Sequence, residues 1–388
     1  MKDSDTDRLS PVPFVVFSDD WGVHPSSSQH IFRHISENHH VAWINTVGMR
    51  RPRLNISDLK KGLRKLFNML RKSSSRGGSA IEYDISVYQP MMIPFNDIPI
   101  LRRINKKLVE RTLRKVVRDL DGQEPIVVTS VPNACDYVDS IRSKRIVYYC
   151  VDDFSEWPGL DKELVLEMEA QLIDKADIFL ATSPRLVARL AKSGKPTSLL
   201  SHGVDIDLFS ADVPDEHPTL DDIPGPRVGY FGLFDARSDQ DLIAAVAEKM
   251  PEVSFVIAGR VETPVENLMS VDNVYFIGQI PYLELPALVK GLDVLFIPYI
   301  VNALSDALSP LKFREYLATG RPILSTPIAA AAEFDAVIRI ASTAEDWQEE
   351  IQNSLSENLR SRRNEVTAAL AGESWRERSK QFLYHCIR

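Results

Sequence analysis

Most hydrophobic residues of this chain fall in short runs that are rich in β-branched and aromatic side chains. The runs that predict strands are Phe14–Ser18, Val41–Asn45, Ile126–Ser130, Ile146–Val151, Ile178–Thr182, Arg227–Phe231, Ser254–Ala258, Val274–Ile277, Val294–Pro298 and Ile323–Ser325. They are continuously apolar, which is typical of strands buried on both faces. Amphipathic helical segments separate them, for example at Asp239–Met250, Leu283–Leu292 and Leu311–Thr319. This alternation predicts an α/β protein with parallel sheets and right-handed crossovers.

One segment breaks the alternation and marks a domain boundary. Residues Ala211–Pro226 hold four prolines and five acidic residues, a composition that suits a linker better than a core. We expect one Rossmann-like domain over residues 1–205, a linker over 206–225 and a second Rossmann-like domain over 226–370. Ligands of such sheets bind in a cleft at the carboxyl ends of the strands.

Charge is distributed unevenly along the 388 residues. The chain carries a formal net charge of −8, yet the stretch from Gly48 to Leu120 holds 18 Lys and Arg against 6 Asp and Glu. Residues 56–72 and 101–120 are basic and amphipathic, which is typical of helices that lie on an anionic membrane surface. Alternatively, both helices pack on their own domain and the cations face water. No nucleic-acid-binding motif accompanies the charge, so nucleic acid is not an expected partner.

Three cysteines are too few and too scattered for a disulfide framework or a metal site. The polar, acidic N-terminus lacks the pattern of a signal peptide, and no apolar run approaches the ~20 residues of a membrane span. We expect a cytoplasmic protein.

A segment of the second half, SDALSPLKFREYLATGRPILST, carries the strongest chemical signal. Pro310 is suited to open a helix, on which Lys312 and Glu315 lie on one face. A carboxylate there could accept hydrogen bonds from a ribose diol. The alternative is an ordinary ion pair between residues three apart on a solvated helix.

This segment resembles the nucleotide-sugar site of two-domain GT-B glycosyltransferases of group 1, which are family 4-like. In that family a Glu in the pattern E-[AG]-x-A-x-G-x-P binds the donor ribose, and Glu315, Gly320 and Pro322 match it. The stretches RVGYFGLFDARSDQDLI and NVYFIGQIPYLELPALVKGLDVLFIPY resemble other parts of the family's donor domain in order and spacing. The C-terminal residues 371–388 resemble the family's last helix, which crosses back to the first domain. The resemblance implies a GT-B fold, with two Rossmann-like parallel-sheet domains that face a central cleft.

The same resemblance implies the donor-site residues. Besides Glu315, they are Gly232, Gly278, Ser309 and Pro310, with Arg237, Arg260 and Lys312 as the cations that would hold the diphosphate. Surface ion pairs are the alternative for Arg237 and Arg260. Ala307 replaces a Glu that the family usually has, so the stereochemistry of transfer stays open. No Asp-x-Asp signature stands out at the donor site, so we expect no cofactor and no metal.

The first half contains YYCVDDFSEWPG, in which a strand delivers Asp152 and Asp153 to its carboxyl end. The stretch resembles a block of bacterial exopolysaccharide glycosyltransferases, including inverting glucuronosyltransferases. That resemblance implies that Asp152 is the general base that deprotonates the acceptor hydroxyl. Helix N-capping is the alternative for the acidic pair, and it would suit Asp153.

Three further residues are candidates for the cleft of the first domain. Asp20 and His30 lie in and after the loop that follows the first strand, where they could contact the acceptor, the donor or only their own loop. His202, in LLSHGVDIDLF, faces the cleft in proteins that this turn resembles. A buried structural histidine is an equal alternative.

The predicted activity is that of a hexosyltransferase-like enzyme. It would move a sugar from a nucleotide-sugar, most plausibly UDP-linked, to a lipid-linked saccharide in bacterial cell-surface or exopolysaccharide synthesis. Its place would be the cytoplasmic face of the membrane, as a peripheral protein. The alternatives are a non-hydrolysing nucleotide-sugar epimerase and a non-catalytic nucleotide-sugar-binding protein on the same fold.

Overall fold

The computed structural model describes residues 11–22, 26–49, 84–157, 159–302, 305, 311–356, 366 and 369–387. The chain divides into two compact units. The first comprises residues 1–202 together with 375–388, and the second comprises residues 203–374.

The described part of the first unit contains a parallel sheet of seven strands in the order β3-β2-β1-β4-β5-β6-β7. The strands are β1 Phe14–Ser18, β2 Val41–Asn45, β3 Ile85–Tyr88, β4 Ile126–Thr129, β5 Arg145–Cys150, β6 Ile178–Ala181 and β7 Thr197–Leu199. Its helices are α1 Ser27–Ile35, α2 Pro99–Asp119, α3 Lys162–Lys175, α4 Pro184–Leu190 and, from the end of the chain, the helix Trp375–Ile387. This strand order is that of the doubly wound dinucleotide-binding fold.

The second unit repeats the architecture with six parallel strands in the order β10-β9-β8-β11-β12-β13 among its described residues. They are β8 Arg227–Phe231, β9 Ser254–Ala258, β10 Val274–Gly278, β11 Val294–Ile297, β12 Ile323–Ser325 and β13 Arg339–Ile340. Its helices are α5 Ile206–Phe209, α6 Gln240–Lys249, α7 Glu266–Met269, α8 Leu285–Lys290, α9 Leu311–Ala318 and α10 Ala344–Leu355. In chain order the helix Trp375–Ile387 is therefore α11.

The predicted strands all form, most within one residue of the expected ends. Three strands were not predicted, namely β3, β7 and β13, and each lies at the edge of its sheet. Edge strands bury less of their surface, so their sequences need fewer apolar residues. The residues of β3 and β7 are accordingly mostly partly buried or exposed.

Helix starts follow local capping chemistry. The side chains of Asp161, Ser183 and Asp239 accept hydrogen bonds from backbone N–H groups in the first turns of α3, α4 and α6. Thr343 and Asp346 form a reciprocal capping box at the start of α10. Such caps satisfy N–H groups that have no partner within the helix.

The segment predicted as a linker, residues 206–225, is part of the second unit. Its apolar residues Phe209, Leu220 and Ile223 are buried in the core of that unit, and residues Ile206–Phe209 form α5. The segment therefore contributes to the core despite its proline-rich and acidic composition.

The final helix packs within the first unit. Phe382 contacts the rings of Phe32 on α1 and Tyr149 on β5, with centroid distances of 5.4 and 5.7 Å. Among the described helices, none is long and apolar enough to cross a membrane.

Candidate functional site

The carboxyl edge of the second sheet is shaped by glycines that follow β8 and β9. Gly232 has φ +128° and Gly259 has φ +151°, both in the region that disfavours other residues. A Cβ on Gly259 would lie 1.8 Å from the carbonyl oxygen of Gly232, so the two chain segments touch backbone to backbone. Gly278 ends β10 with φ +77°, and its carbonyl accepts a hydrogen bond of 2.7 Å from the Gly259 N–H.

Lys312 is held beside this edge. Its ammonium donates to the Phe231 carbonyl at 3.3 Å and lies 4.7 Å from the centroid of the Tyr230 ring. A Cβ on Gly232 would fall 2.1 Å from the Lys312 Nζ atom. The glycine thus makes room for a cation at the end of β8.

Helix α9 is fixed to the same strand by Tyr316. Its hydroxyl accepts a hydrogen bond of 2.8 Å from the Phe231 N–H and donates one of 3.0 Å to the Phe231 carbonyl. Because this tyrosine is fully buried, the two bonds satisfy polar backbone groups that water does not reach.

Glu315 lies between Lys312 and Tyr316 on the helical sequence. The residue keeps some exposed surface, but burial of its carboxyl disfavours the charged form and raises the pKa to about 7. The positive charge of Lys312 partly opposes this rise. Such a carboxyl, in a shielded place beside a cation, can accept hydrogen bonds from hydroxyl groups.

The other two predicted cations are already paired. Arg237 makes a two-pronged ion pair with Asp235, at 2.8 Å from Nη2 to Oδ2, and lies 5.6 Å from the centroid of the Tyr299 ring. Arg260 pairs with Glu262 at 2.8 Å, and its side chain is 49% exposed. The structure thus shows ion pairs at both positions, whereas the Lys312 ammonium donates to the Phe231 carbonyl at the end of β8. Ser309, Pro310 and Ala307 lie outside the described residues.

In the first unit, Asp152 follows β5 at the carboxyl edge of the sheet. Its Oδ2 accepts a hydrogen bond of 2.9 Å from the indole N–H of Trp157, and its Oδ1 accepts one of 2.8 Å from the backbone N–H of Asp153. The residue is partly buried. It occupies the place where ligands meet sheets of this topology.

Asp153 has a different environment from its neighbour. It is buried, and its Oδ1 accepts hydrogen bonds from the Ser155 hydroxyl at 2.6 Å and from Arg189 at 3.3 Å. It precedes the short 3₁₀ turn Phe154–Glu156 without making a side-chain capping bond to that turn's backbone. The capping alternative for Asp153 was therefore wrong, and the residue belongs to an internal ionic network.

The two histidines predicted for the site, His30 and His202, are buried in the first unit. His30 is buried and stacks on Trp375 of α11, with ring centroids 4.7 Å apart and planes at 3°. Burial, with smaller contributions from the charges of Arg33 and His34, lowers the pKa of His30 to about 3. His202 is buried as well, and its Nδ1 lies 2.7 Å from the Ser27 hydroxyl.

The Asp19 carboxylate makes several hydrogen bonds at the start of the loop after β1. The carboxylate of Asp19 accepts hydrogen bonds from the side chains of Ser18, Ser26 and Gln29, at 2.7, 3.1 and 3.0 Å. The carbonyl of Asp20 accepts a bond of 3.3 Å from the Gln29 side chain. The sequence gives both acids the same local context, so only the fold distinguishes them.

Sequence reasoning missed two other parts of these sites. Gly259 could have been found, because a glycine directly after a buried strand often marks close backbone approach. The pair Glu169 and Arg189 gave no comparable signal, since the two residues lie on different helices. Across the residues that the structure describes, no group of three or more His, Cys, Asp or Glu side chains is arranged to hold a metal ion.

Known proteins share this architecture over nearly the whole chain. Sucrose-phosphate synthase from Thermosynechococcus elongatus superposes with a TM-score of 0.68 at 16% identity, covering 96% of this chain and 98% of that one. Anabaena HepE, solved with UDP-glucose, gives a TM-score of 0.60 at 13% identity over 96% of this chain and 98% of its own. A structure of the Escherichia coli trehalose-6-phosphate protein with UDP-2-fluoro glucose gives 0.65 at 12% identity over 96% and 98%.

The chain has the GT-B fold. This confirms the fold expected from the sequence, including the final helix. Residues 225–359 match the family model described as "Glycosyl transferases group 1", which confirms the resemblance noted for the second half. Within this GT-B protein, the matched residues include Gly232, Lys312 and Glu315.

One curated relative is similar to part of the GT-B chain. TuaH of Bacillus subtilis (strain 168), which is named as a glycosyltransferase of teichuronic acid biosynthesis, is 25% identical over 182 residues. The match covers 44% of this chain and 46% of TuaH, so it spans less than half the length of that relative.

Proposed function

We propose that this protein is a glycosyltransferase that takes a sugar from a UDP-sugar. The observation that carries the proposal is the position of Lys312 against Gly232 at the carboxyl edge of the second sheet, with Glu315 within the electrostatic influence of Lys312. Because glycine has no Cβ atom, a diphosphate can approach the backbone closely at this position. A cation beside it can stabilise the negative charge that develops on the leaving UDP. Glu315 would bind the ribose hydroxyls. The solved complexes of HepE with UDP and UDP-glucose support the choice of nucleotide.

Binding of UDP to Glu315→Ala tests the donor site. We expect calorimetry to show at least tenfold weaker binding, because two hydrogen bonds to the ribose are lost. Glu350→Ala is a matched control. Glu350 lies on α10 of the same unit, where it is ion-paired with Arg339 of β13. Unchanged affinity in Glu315→Ala would refute the ribose assignment.

Chelation with EDTA should leave UDP binding and turnover unchanged, since the proposal uses cationic side chains in place of a metal.

For the first unit, the proposed role of Asp152 is general base toward the acceptor hydroxyl. Its partly buried carboxylate is held by two N–H donors at the carboxyl edge of β5. Asp152→Asn should lose at least a hundredfold in turnover while UDP affinity stays unchanged. Turnover can be followed as UDP released from UDP-glucose in the presence of bacterial lipid extract. Conversion of the UDP-sugar to an isomer in the absence of acceptor, without release of UDP, would instead support the epimerase alternative.

The proposed acceptor is a lipid-linked saccharide of a cell-surface polymer, reached by a protein that docks on the cytoplasmic face of the membrane. The name of TuaH supports this class of pathway. Helix α2 supports the membrane contact, because its exposed cations recur every three or four residues, at Arg103, Lys107, Arg111, Arg114 and Arg118. Ile100 and Ile104 extend this face as exposed apolar residues. The other predicted basic segment, residues 56–72, lies outside the described residues.

Vesicle co-sedimentation tests the membrane contact. Each cation near an anionic surface contributes about 1 kcal/mol, so the triple variant Lys107→Glu, Arg111→Glu, Arg114→Glu should lose most binding to phosphatidylglycerol vesicles. Neutral phosphatidylcholine vesicles should bind little of either protein. Lys249→Glu, on α6 of the second unit, changes the charge elsewhere and should bind as the wild type does. Equal binding by the triple variant would contradict the docking surface.

A further inference from the structure

The loop that carries Asp152 is tied to the body of the first unit by its backbone. The Thr182 hydroxyl donates to the Val151 carbonyl at 2.8 Å, and the Thr182 N–H donates to the Cys150 carbonyl at 3.2 Å. Further along, the Trp157 N–H donates to the Phe154 carbonyl at 3.2 Å. The loop thus leaves β5 and returns as a short turn that brings the Trp157 side chain back to Asp152.

The contact between these two side chains is specific. The indole N–H of Trp157 lies 2.9 Å from Oδ2 of Asp152, and the Trp157 ring packs on Phe154 with centroids 5.3 Å apart. An indole has one donor and no acceptor, so its bond requires a lone pair on the carboxylate. The indole, which packs on Phe154, therefore holds Oδ2 of Asp152, while the Asp153 backbone N–H holds Oδ1.

Beneath the loop lies a buried ionic network. Arg189 donates to Glu169 at 2.9 Å and to Asp153 at 3.3 Å, and the hydroxyl of Tyr148 donates to Glu169 at 2.7 Å. Glu169 and Asp153 are each only 6% exposed. Buried ion pairs are costly in desolvation and often contribute little net stability, but removal of one partner leaves a buried charge unpaired. Here they fix the residue next to Asp152.

We propose that Trp157 is a positioning residue for Asp152, with the Glu169–Arg189–Asp153 network as the support that holds their shared loop. The inference rests on the proposed role of Asp152 as base. A base must be held within hydrogen-bond reach of the proton that it removes, and small displacements reduce the rate strongly. A donor such as the indole N–H also favours the charged carboxylate, which is the form that accepts the proton.

Trp157→Phe removes the N–H and keeps an aromatic ring against Phe154. We expect turnover of UDP-glucose with bacterial lipid extract to fall about tenfold, with an unchanged KM for UDP-glucose. The acidic limb of the pH–rate profile should move to higher pH, because the carboxylate loses a donor that favours its charged form. Trp347→Phe is the matched control: Trp347 is a buried tryptophan of the second unit whose indole donates to the Ala341 carbonyl. Its pH profile should stay that of the wild type.

A second measurement does not depend on activity. The chain has five tryptophans, so the indole N–H region of a ¹⁵N spectrum is simple, and the signal that disappears in Trp157→Phe is that of Trp157. In the wild type this signal should shift with pH as Asp152 titrates, and in Asp152→Asn it should lose that dependence. A Trp157 signal that ignores pH, or a Trp157→Phe enzyme with normal turnover and pH profile, would overturn the positioning role. If Asp152→Asn alone keeps full activity while the Trp157 signal titrates, the base assignment fails and the contact stands as a structural one.

Discussion

The ammonium of Lys312 lies 3.3 Å from the carbonyl of Phe231, in the space that a side chain on residue 232 would occupy. The position of the Lys312 ammonium at the end of β8 thus depends on the absence of a side chain at Gly232. Lys312 differs in this from Arg237 and Arg260, which are paired with the acidic side chains of Asp235 and Glu262.

Gly232→Ala should abolish or strongly weaken UDP binding. Its Cβ would stand 2.1 Å from Lys312 Nζ, so the ammonium must leave its place. Gly320→Ala is the control: Gly320 also has positive φ, +72°, but a Cβ there meets nothing within 4 Å. Both variants should lose about 1–2 kcal/mol of stability through backbone strain. Only Gly232→Ala should lose affinity in calorimetry, and equal affinities in the two variants would contradict the role given to Lys312.

Glu315 should make stability depend on pH. The unfolded chain releases this proton near the ordinary pKa of 4.5, whereas the folded chain keeps it to about pH 7. The contribution of Glu315 to stability is therefore present below pH 4.5 and is lost as the pH rises through 7. Glu315→Gln should match the wild type in urea denaturation at about pH 4 and exceed it by about 3 kcal/mol at about pH 8. A difference that is the same at both pH values would contradict the raised pKa.

Tyr316→Phe should destabilise the second unit by about 1–3 kcal/mol. Its hydroxyl bonds to both the N–H and the carbonyl of Phe231, and the phenylalanine would leave these buried groups without that partner. Tyr275→Phe, at the margin of the same core, should change stability by less than about 0.5 kcal/mol. Urea denaturation measures both, and equal losses would show that the two bonds of the Tyr316 hydroxyl contribute no more than the Tyr275 hydroxyl does.

Trp375→Ala should destabilise the first unit by about 3–5 kcal/mol, because it removes a buried ring that stacks on His30. Arg376→Ala, at the next position, removes only an exposed ion pair with Glu37 and should cost less than about 1 kcal/mol. Denaturation of the two variants compares packing with surface charge on one helix. A small loss in Trp375→Ala would contradict the stabilising contribution of the stack between His30 and Trp375.

The sequence by itself determined the framework of this protein. Continuous apolar runs predicted the central strands of both sheets, because strands buried on both faces must be apolar throughout. Capping residues such as Asp239 set helix starts locally, and the motif around Glu315 and Gly320 was recognisable because its residues lie close together along the chain.

Only the tertiary structure decided where the edge strands form and which partners the individual site residues meet. The short edge strands β3, β7 and β13 form by pairing with a neighbour, so their own composition indicates them poorly. Asp153 meets Arg189, which lies 36 residues further along the chain, so its environment differs from that of the adjacent Asp152. His30 became a buried packing residue only because α11 supplies Trp375, and Lys312 reaches the end of β8 only because Gly232 has no side chain. In each case the stabilising free energy comes from contacts between segments that are distant in sequence, and local sequence patterns do not reveal such contacts.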